Sequence, residues 1–391
     1  KGTVQRMRIA LLTRHFSRTA GGAESYAIAV AQELCARHEV HVFCQETDRP
    51  VSAAVYHQVW RPFRRPRWLN QIYYALATWW LTRRGYDVVH SHEHVFHGDV
   101  QTLHVQPVSQ GIWGQRQGWR RAWRTFAVLT SPRRMTYLWL EWARMRPVPG
   151  RTLVFASAPL LDQFETYYPH IRRIAQVIPP GVRIPASLPD QQTSRRSVGW
   201  SLDSPWLLFV ANDYQRKGLT TVLQALQSLP HEVQLAVVGQ NRQQARFEAL
   251  AINLGVASRV HFLGPRQDVE VLMSAADVLV HPTTEDSFGM VVLEAMAQGL
   301  PVVVSAAPHC GLSAELSHLH DAWMLSDPQE NEGLAQAVQA ILTQSDLRSH
   351  LIQGGRAQAQ GRTWAQAARS EEHTSELQSR SDLVCRLLLE K

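Results

Sequence analysis

Short runs of consecutive apolar residues alternate along this chain with longer amphipathic stretches, the pattern of strands buried on both faces and separated by crossover helices. Ile9 to Thr13 reads as a strand, Gly21-Gly22 as a turn, about 23–37 as a helix, and Val40 to Cys44 as a second strand, which together make a βαβ opening. Asp87 to His90 reads as a further buried parallel strand, followed by a histidine-rich loop containing His90, His92, His94, His97 and His104. Leu153 to Ala156 predicts a strand, Pro159 to Tyr168 a helix, and Ala175 to Ile178 a strand closed by Pro179-Pro180-Gly181. In the second half, Trp206 to Val210, Val233 to Val238, Val260 to Leu263, Val278 to His281, Pro301 to Ser305 and Ala322 to Leu325 read as strands with helical patterns between them. Two such series predict an α/β fold of two Rossmann-like domains with parallel sheets, whose ligands bind in a cleft outside the carboxyl ends of the strands.

The proline- and glutamine-bearing stretch 182–204 reads as the linker, so the expected division is 1–181, linker 182–204, and 205–368. Past Ala368 the composition changes. Residues 369–391 resemble the translation of a sequencing adapter and are expected to be a non-native tail; residues 1–6, before Met7, are read as translated upstream sequence. The length, 391 residues, suits two domains, and 45% hydrophobic against 19% charged residues excludes a disordered or fibrous chain. Cys35, Cys44, Cys310 and Cys385 form no CxxC pair, which argues against a disulfide scaffold or zinc ribbon and for a reducing cytoplasm. The longest apolar run, Ile72 to Leu81, has ten residues, where a spanning helix needs about 20.

Charge changes the picture only when mapped. The whole chain carries +7, yet between Trp60 and Arg151 there are fifteen arginines against four carboxylates, a local +11. Nine of the 13 tryptophans occupy the same window. Arg61, Arg64, Arg65 and Arg67 with Trp60, Trp68, Trp79 and Trp80, and Arg120, Arg121 and Arg124 with Trp119 and Trp123, combine cations for phosphate with amphipathic rings that favour an interface. This points to an anionic, phosphate-bearing membrane surface; a solvated face with some Trp in the core is the plainer alternative. A nucleic-acid-binding protein would use the same stripe, but the chain holds no recognisable reader motif.

Three motifs carry chemistry. Gly21-Gly22-Ala23-Glu24 opens a helix after the first strand, a place where backbone amides can meet an anion, though such a turn is often only a turn. Gln215-Arg216-Lys217-Gly218 does the same in the second half with two cations added. The third runs from Glu285-Asp286 through Gly289 to Glu294 and Pro301. Glu294 lies in an otherwise apolar helix, where a carboxylate is expensive unless hydrogen-bonded, and a sugar diol would supply two donors. There is no GxGxxG fingerprint, no P-loop and no strict Asp-x-Asp.

Asp286, Gly289 and Glu294 with the following Ala-Met-Ala-Gln-Gly-Leu-Pro-Val-Val resemble the acidic-x7-Glu signature of family four retaining glycosyltransferases of GT-B fold. The Gly-Gly-Ala-Glu and Arg-Lys-Gly turns, Pro179-Pro180-Gly181, Val237-Val-Gly239 and Val260-His-Phe-Leu-Gly264 occur in that family's order, from about Met7 to Gln344. Val238-Gly-Gln-Asn241, Phe247-Glu-Ala-Leu250 and the stretch from Leu129-Thr-Ser131 to Glu141 are similar to lipopolysaccharide-core glucosyltransferases. The resemblance implies an acceptor domain followed by a nucleotide-sugar donor domain. It implies that Glu294 binds the ribose, Arg216 and Lys217 the diphosphate, and Gly21 and Gly22 the phosphate or sugar. Phe288, Gly289 and Met290 would offer amides, and Arg266 would lie by the base. Asp99 and His104 fall where the family places acceptor-side and sugar-contacting residues, and Asp286 stands where the family usually has Glu. Transfer would be metal-independent, with the leaving diphosphate accepting the acceptor hydroxyl's proton in a front-face attack, so Lys217, Asp286, Asp99 and His104 are the catalytic candidates. The implied donor is UDP-glucose and the implied acceptor a lipid-linked or lipopolysaccharide-core saccharide, used at the cytoplasmic face of the inner membrane. GDP-mannose or UDP-GlcNAc as donor, a GT-B epimerase, and an inactive relative are the alternatives.

Overall fold

The computed structural model describes residues 6–17, 22–114 and 118–371. The chain divides into two compact units: the described residues up to Gly181 together with Trp364–Glu371, and Val182–Thr363.

The first unit contains nine strands: β1 (Arg8–Leu12), β2 (His15–Phe16), β3 (Glu39–Cys44), β4 (Glu46–Thr47), β5 (Val55–Gln58), β6 (Val88–Ser91), β7 (Val100–Leu103), β8 (Thr152–Phe155) and β9 (Ala175–Val177). Seven of them form one parallel sheet in the order β5-β3-β1-β6-β7-β8-β9, and β2 pairs with β4 beside it. Residues alternate across β1: Ile9 and Leu11 join the cluster around the helix Gly22–Cys35, while Ala10 and Leu12 join the one around Tyr74 and Leu140. Both faces are therefore covered, which is why β1 reads as a continuous apolar run from Ile9 to Leu12.

Two strands that the apolar pattern does not predict have physical reasons for being missed. β5 is an edge strand of half-exposed residues, Val-Tyr-His-Gln. β7 is fully buried yet half polar: Gln101 accepts from Arg144 Nε at 2.8 Å, and Thr102 Oγ1 bonds His90 Nε2 at 2.7 Å. Paired polar groups can be buried without penalty, and they erase the hydrophobic signal.

The second unit adds β10 (Trp206–Val210), β11 (Gln234–Val238), β12 (Val260–Gly264), β13 (Val278–His281), β14 (Val302–Ser305) and β15 (Trp323–Leu325), again all parallel, in the order β12-β11-β10-β13-β14-β15. Counted within the sheet this is 3-2-1-4-5-6, the doubly wound order, with the direction of winding reversing between β10 and β13.

The stretch expected to be a linker is part of this unit. Asp190 caps the helix Gln191–Val198 by accepting from Thr193 N at 2.8 Å, and Gly199 ends it with φ +73°. Arg195 on that helix pairs with buried Asp277 at 2.5 Å. Of the expected tail, Arg369–Glu371 are described and helical, and Tyr26 Oη donates to the Glu371 carboxylate at 2.6 Å; the remainder lies outside the described residues.

Candidate active site

At a reversal of winding, the loops after the two central strands diverge and leave a crevice at the carboxyl edge of the sheet. In the second unit these are the segments 211–218 after β10 and 282–289 after β13, so Arg216, Lys217, Asp286 and Gly289 meet at one place.

Each segment ends in a glycine that begins a helix. Gly218 (φ +84°) precedes Leu219–Ser228, and Gly289 (φ +100°) precedes Met290–Ala297. Neither position has room for a side chain, because a Cβ on Gly218 would sit 2.0 Å from the Pro282 carbonyl oxygen and one on Gly289 2.6 Å from Cys310 Sγ. The strain-free left-handed turn and the close approach both require glycine. In the first turns the Leu219 amide donates to the Tyr214 carbonyl at 2.9 Å and the Val292 amide to the Gly289 carbonyl at 3.0 Å; the helix dipoles and the remaining amides make two positive helix ends.

The charged groups here are interlocked. Lys217 Nζ lies 2.5 Å from Asp286 Oδ2 and donates to the Glu285 carbonyl at 3.2 Å. His281, buried at the end of β13, donates from Nε2 to the same Asp286 oxygen at 3.0 Å, and the Phe288 amide donates to Oδ1 at 3.3 Å. Burial by itself would raise the Asp286 carboxyl, but the hydrogen bonds from His281 and Lys217 and their charge outweigh it and hold the group far below the usual carboxylate range. Arg216 spans Asp213 at 3.3 Å and Glu285 at 3.4 Å, half-exposed. Its carbonyl accepts from Thr284 N at 2.9 Å, which ties the two loops together.

Glu294 stands in the second turn of its helix. Burial, with a smaller contribution from Glu270, pushes its carboxyl up to about 7, and it has no hydrogen-bond partner among the described residues. Arg266, in the loop after β12, is exposed and bound by both oxygens of Asp268 at 2.8 and 2.6 Å. Among the described residues no group of three or more His, Cys, Asp or Glu side chains is gathered to hold a metal ion.

In the first unit, Gly22 starts its helix, while Gly21 lies outside the described residues. His104 follows β7 at the sheet's carboxyl edge, stacked on His92 at 5.2 Å, and its Nε2 is bonded to His92 Nδ1 at 2.9 Å. Burial, then Arg144 and His90, lowers His104 to about 3, so the imidazole is neutral at physiological pH and offers a hydrogen bond rather than a charge. Asp99 is corrected. It precedes β7, at the opposite, amino end of that strand, and its carboxylate accepts from Val89 N at 2.7 Å, registering β6 against β7. Four residues of strand put about 13 Å between it and His104's end, so one site cannot use both.

The basic aromatic window contains β6, β7 and the helices Arg67–Thr82, Val108–Ile112, Gly118–Leu129 and Pro132–Met145. Seven tryptophans of the chain are exposed, from Trp119 at 74% and Trp60 at 70% to Trp79 at 44%, and all seven lie in this window. Arg64, Arg65 and Arg67 are exposed and Arg61 is partly buried; the side chains of Arg120, Arg121 and Arg124 lie outside the described part. Among the described residues no helix is long and apolar enough to cross a membrane.

His281 went unread as a site residue. Its signal is an imidazole closing an apolar strand directly before Pro282, too common a combination to single out without the fold.

Two doubly wound parallel sheets, the second with glycine-started helices at its switch point, define an α/β protein of GT-B architecture. The comparisons name the family: residues 20–184 match Glycosyltransferase Family 4, residues 190–358 match Glycosyl transferases group 1, and the chain belongs to these glycosyltransferases. It is 33% identical over 252 residues to the lipopolysaccharide glucosyltransferase WaaG of Escherichia coli, covering 62% of this chain and 63% of that protein. It is 34% identical over 221 residues to a D-inositol 3-phosphate glycosyltransferase of Xylanimonas cellulosilytica, 53% and 52% of the two chains. The matches thus span less than two thirds of these curated relatives. The crystal structure of WaaG superposes with a TM-score of 0.79 at 27% identity, covering 93% of this chain and 98% of that one. HepE of Anabaena, solved with UDP and glucose, shares the fold at a TM-score of 0.75 and 20% identity, over 94% and 99%.

Proposed function

We propose that the protein transfers a hexose, glucose, with retention from UDP-glucose to a lipid-linked or lipopolysaccharide-core saccharide, without a metal ion. The observation that carries this reading is the meeting of Arg216, Lys217 and two glycine-started helices at the winding reversal of the second sheet. A diphosphate placed there would compete with Asp286 for Lys217 and with Asp213 and Glu285 for Arg216. Its charge would be stabilised by donors already in place, and the same donors hold the departing UDP as the anomeric bond breaks. Glu294, unpartnered, accepts the ribose hydroxyls. Likeness to WaaG, a lipopolysaccharide glucosyltransferase, supports both sugar and acceptor.

The seven exposed tryptophans and their arginines support binding to an anionic bilayer surface, the cytoplasmic face of the inner membrane, where a phosphorylated glycolipid would be presented. The deciding experiment is a panel of UDP-glucose, UDP-GlcNAc and GDP-mannose in thermal-shift and donor-hydrolysis assays. A ligand bound to the native state raises the melting temperature by mass action, so UDP-glucose should stabilise most and be hydrolysed slowly. A larger shift with GDP-mannose would overturn the donor assignment.

A further inference from the structure

The groove at the far side of the first sheet has a chemistry that a lipid surface does not require. β3 and β5 end side by side, with Cys44 opposite Gln58. Beyond them lies an open groove of about 550 Å³ lined by Gln45, Glu46, Gln58, Trp60, Arg61 and Arg64. That is within the range of about 300–1,000 Å³ typical of small-ligand sites.

The groove is built rather than incidental. Buried Gln45 exchanges two hydrogen bonds with Asn70, at 3.1 and 2.8 Å, and donates to the Trp60 carbonyl at 3.1 Å. The Trp60 backbone is thereby fixed, while its indole is held edge-on to Tyr73 at 6.0 Å and stands 70% exposed. Glu46 is gripped from two sides, by His15 Nδ1 at 3.0 Å and by Arg61 Nη1. Arg61 Nε is buried and has no partner among the described residues, a costly state that a ligand oxygen would relieve. The Gln58 carboxamide and the Arg64 guanidinium are exposed and likewise have no protein partner among the described residues.

These groups divide into three kinds. A flat aromatic ring suits the C–H face of a pyranose. A carboxamide and a carboxylate suit its hydroxyls. Two guanidiniums suit a phosphate. A bilayer of anionic headgroups would use the cations and the indole but would leave the Gln58 carboxamide and the Glu46 carboxylate without sugar hydroxyls to bind. We propose that this groove is a binding subsite for a phosphorylated sugar of the acceptor, with Trp60 as its platform, Gln58 and Glu46 reading hydroxyls, and Arg61 and Arg64 holding the phosphate. The proposal deepens the reading of the first unit as the acceptor half and rests on it.

The test uses the full chain saturated with UDP, so that the donor site is filled, and follows mannose 6-phosphate, mannose and inorganic phosphate by saturation-transfer NMR and calorimetry. Mannose 6-phosphate should bind about tenfold or more tightly than either fragment, because each part adds its own contacts. Trp60→Ala and Gln58→Ala should each weaken it about fivefold to tenfold, and Arg64→Ala should bring it close to the affinity of mannose. All three side chains are exposed, so their loss leaves the core intact; circular dichroism and melting temperature check this. Inorganic phosphate binding as tightly as the sugar phosphate, or unchanged binding in Trp60→Ala, overturns the proposal. So does loss of anionic-vesicle binding in Trp60→Ala and Arg64→Ala with sugar-phosphate affinity retained, since the groove would then belong to the lipid surface. The UDP titration that precedes these measurements reports separately on the donor reading.

Discussion

The two sheets share one winding order, and the carboxyl edges they present are chemically opposite. In the second unit the edge carries Lys217, Arg216, Asp286 and two helix starts opened by Gly218 and Gly289. In the first unit the part of the edge after β1, β6 and β7 is neutral: Arg14 and Glu93 neutralise each other at 3.0 Å, and His92, His94 and His104 are held uncharged by burial. The unit's excess of cations has moved onto helices studded with exposed tryptophan. The same topology thus carries clustered charges and glycine-started helices in one half and an uncharged histidine edge beside a basic, aromatic surface in the other. What distinguishes them is where the charges are anchored, not how the strands are ordered.

The largest expected effect tests the charged edge. Lys217→Ala should lower turnover of UDP-glucose roughly a hundredfold, the scale of removing one preorganised donor to a developing anion. His104→Ala, from the neutral edge, should show no loss that varies between pH 5 and 8, since a group at about 3 does not titrate there. Comparable pH-dependent losses in both variants would erase the contrast.

Gly218→Ala comes next. Its left-handed φ of +84° and the Pro282 carbonyl 2.0 Å from the added methyl should cost roughly 1–3 kcal/mol in urea unfolding.

Glu294→Gln gives a pH signature. A carboxyl raised by burial to about 7 contributes stability that is complete below its ordinary value of 4.5 and is lost as pH rises through 7. The variant should therefore be more stable than the parent at pH 8, on the order of 1–3 kcal/mol, and equal to it near pH 4. Chemical denaturation at both pH values reads this, and equal stability at pH 8 would remove the buried charge from the account.

The smallest effect probes the aromatic surface. Trp119→Ser or Trp123→Ser should weaken co-sedimentation with anionic vesicles by a few-fold each, and added salt should weaken it further. Binding to neutral vesicles should be weak for the parent and unchanged in the variants.

How much of this was legible depended on whether the signal was local. Gly218 and Gly289 stand out because a helix start next to a turn leaves its mark in adjacent residues. Glu294 stands out because a lone carboxylate breaks an apolar helix. β7 was hidden because Gln101 and Thr102 find their partners, Arg144 and His90, far along the chain. Asp99 was misplaced for a related reason. Only four residues separate it from His104 in sequence, but they are the strand β7, which carries the two to opposite edges of the sheet.

The sequence alone determined the alternation of strand and helix, the glycine-started turns, the acidic pair eight residues apart and the concentration of Arg and Trp between 60 and 151, because each is a property of neighbours. Only the tertiary structure decided which loops converge at the reversal of winding, that His281 and Lys217 close on Asp286, and that the segment 182–204 is an ordered, Arg195-anchored part of the second unit. Those outcomes depend on contacts across the sheet, where burial and charge pairing, rather than spacing along the chain, set the energy.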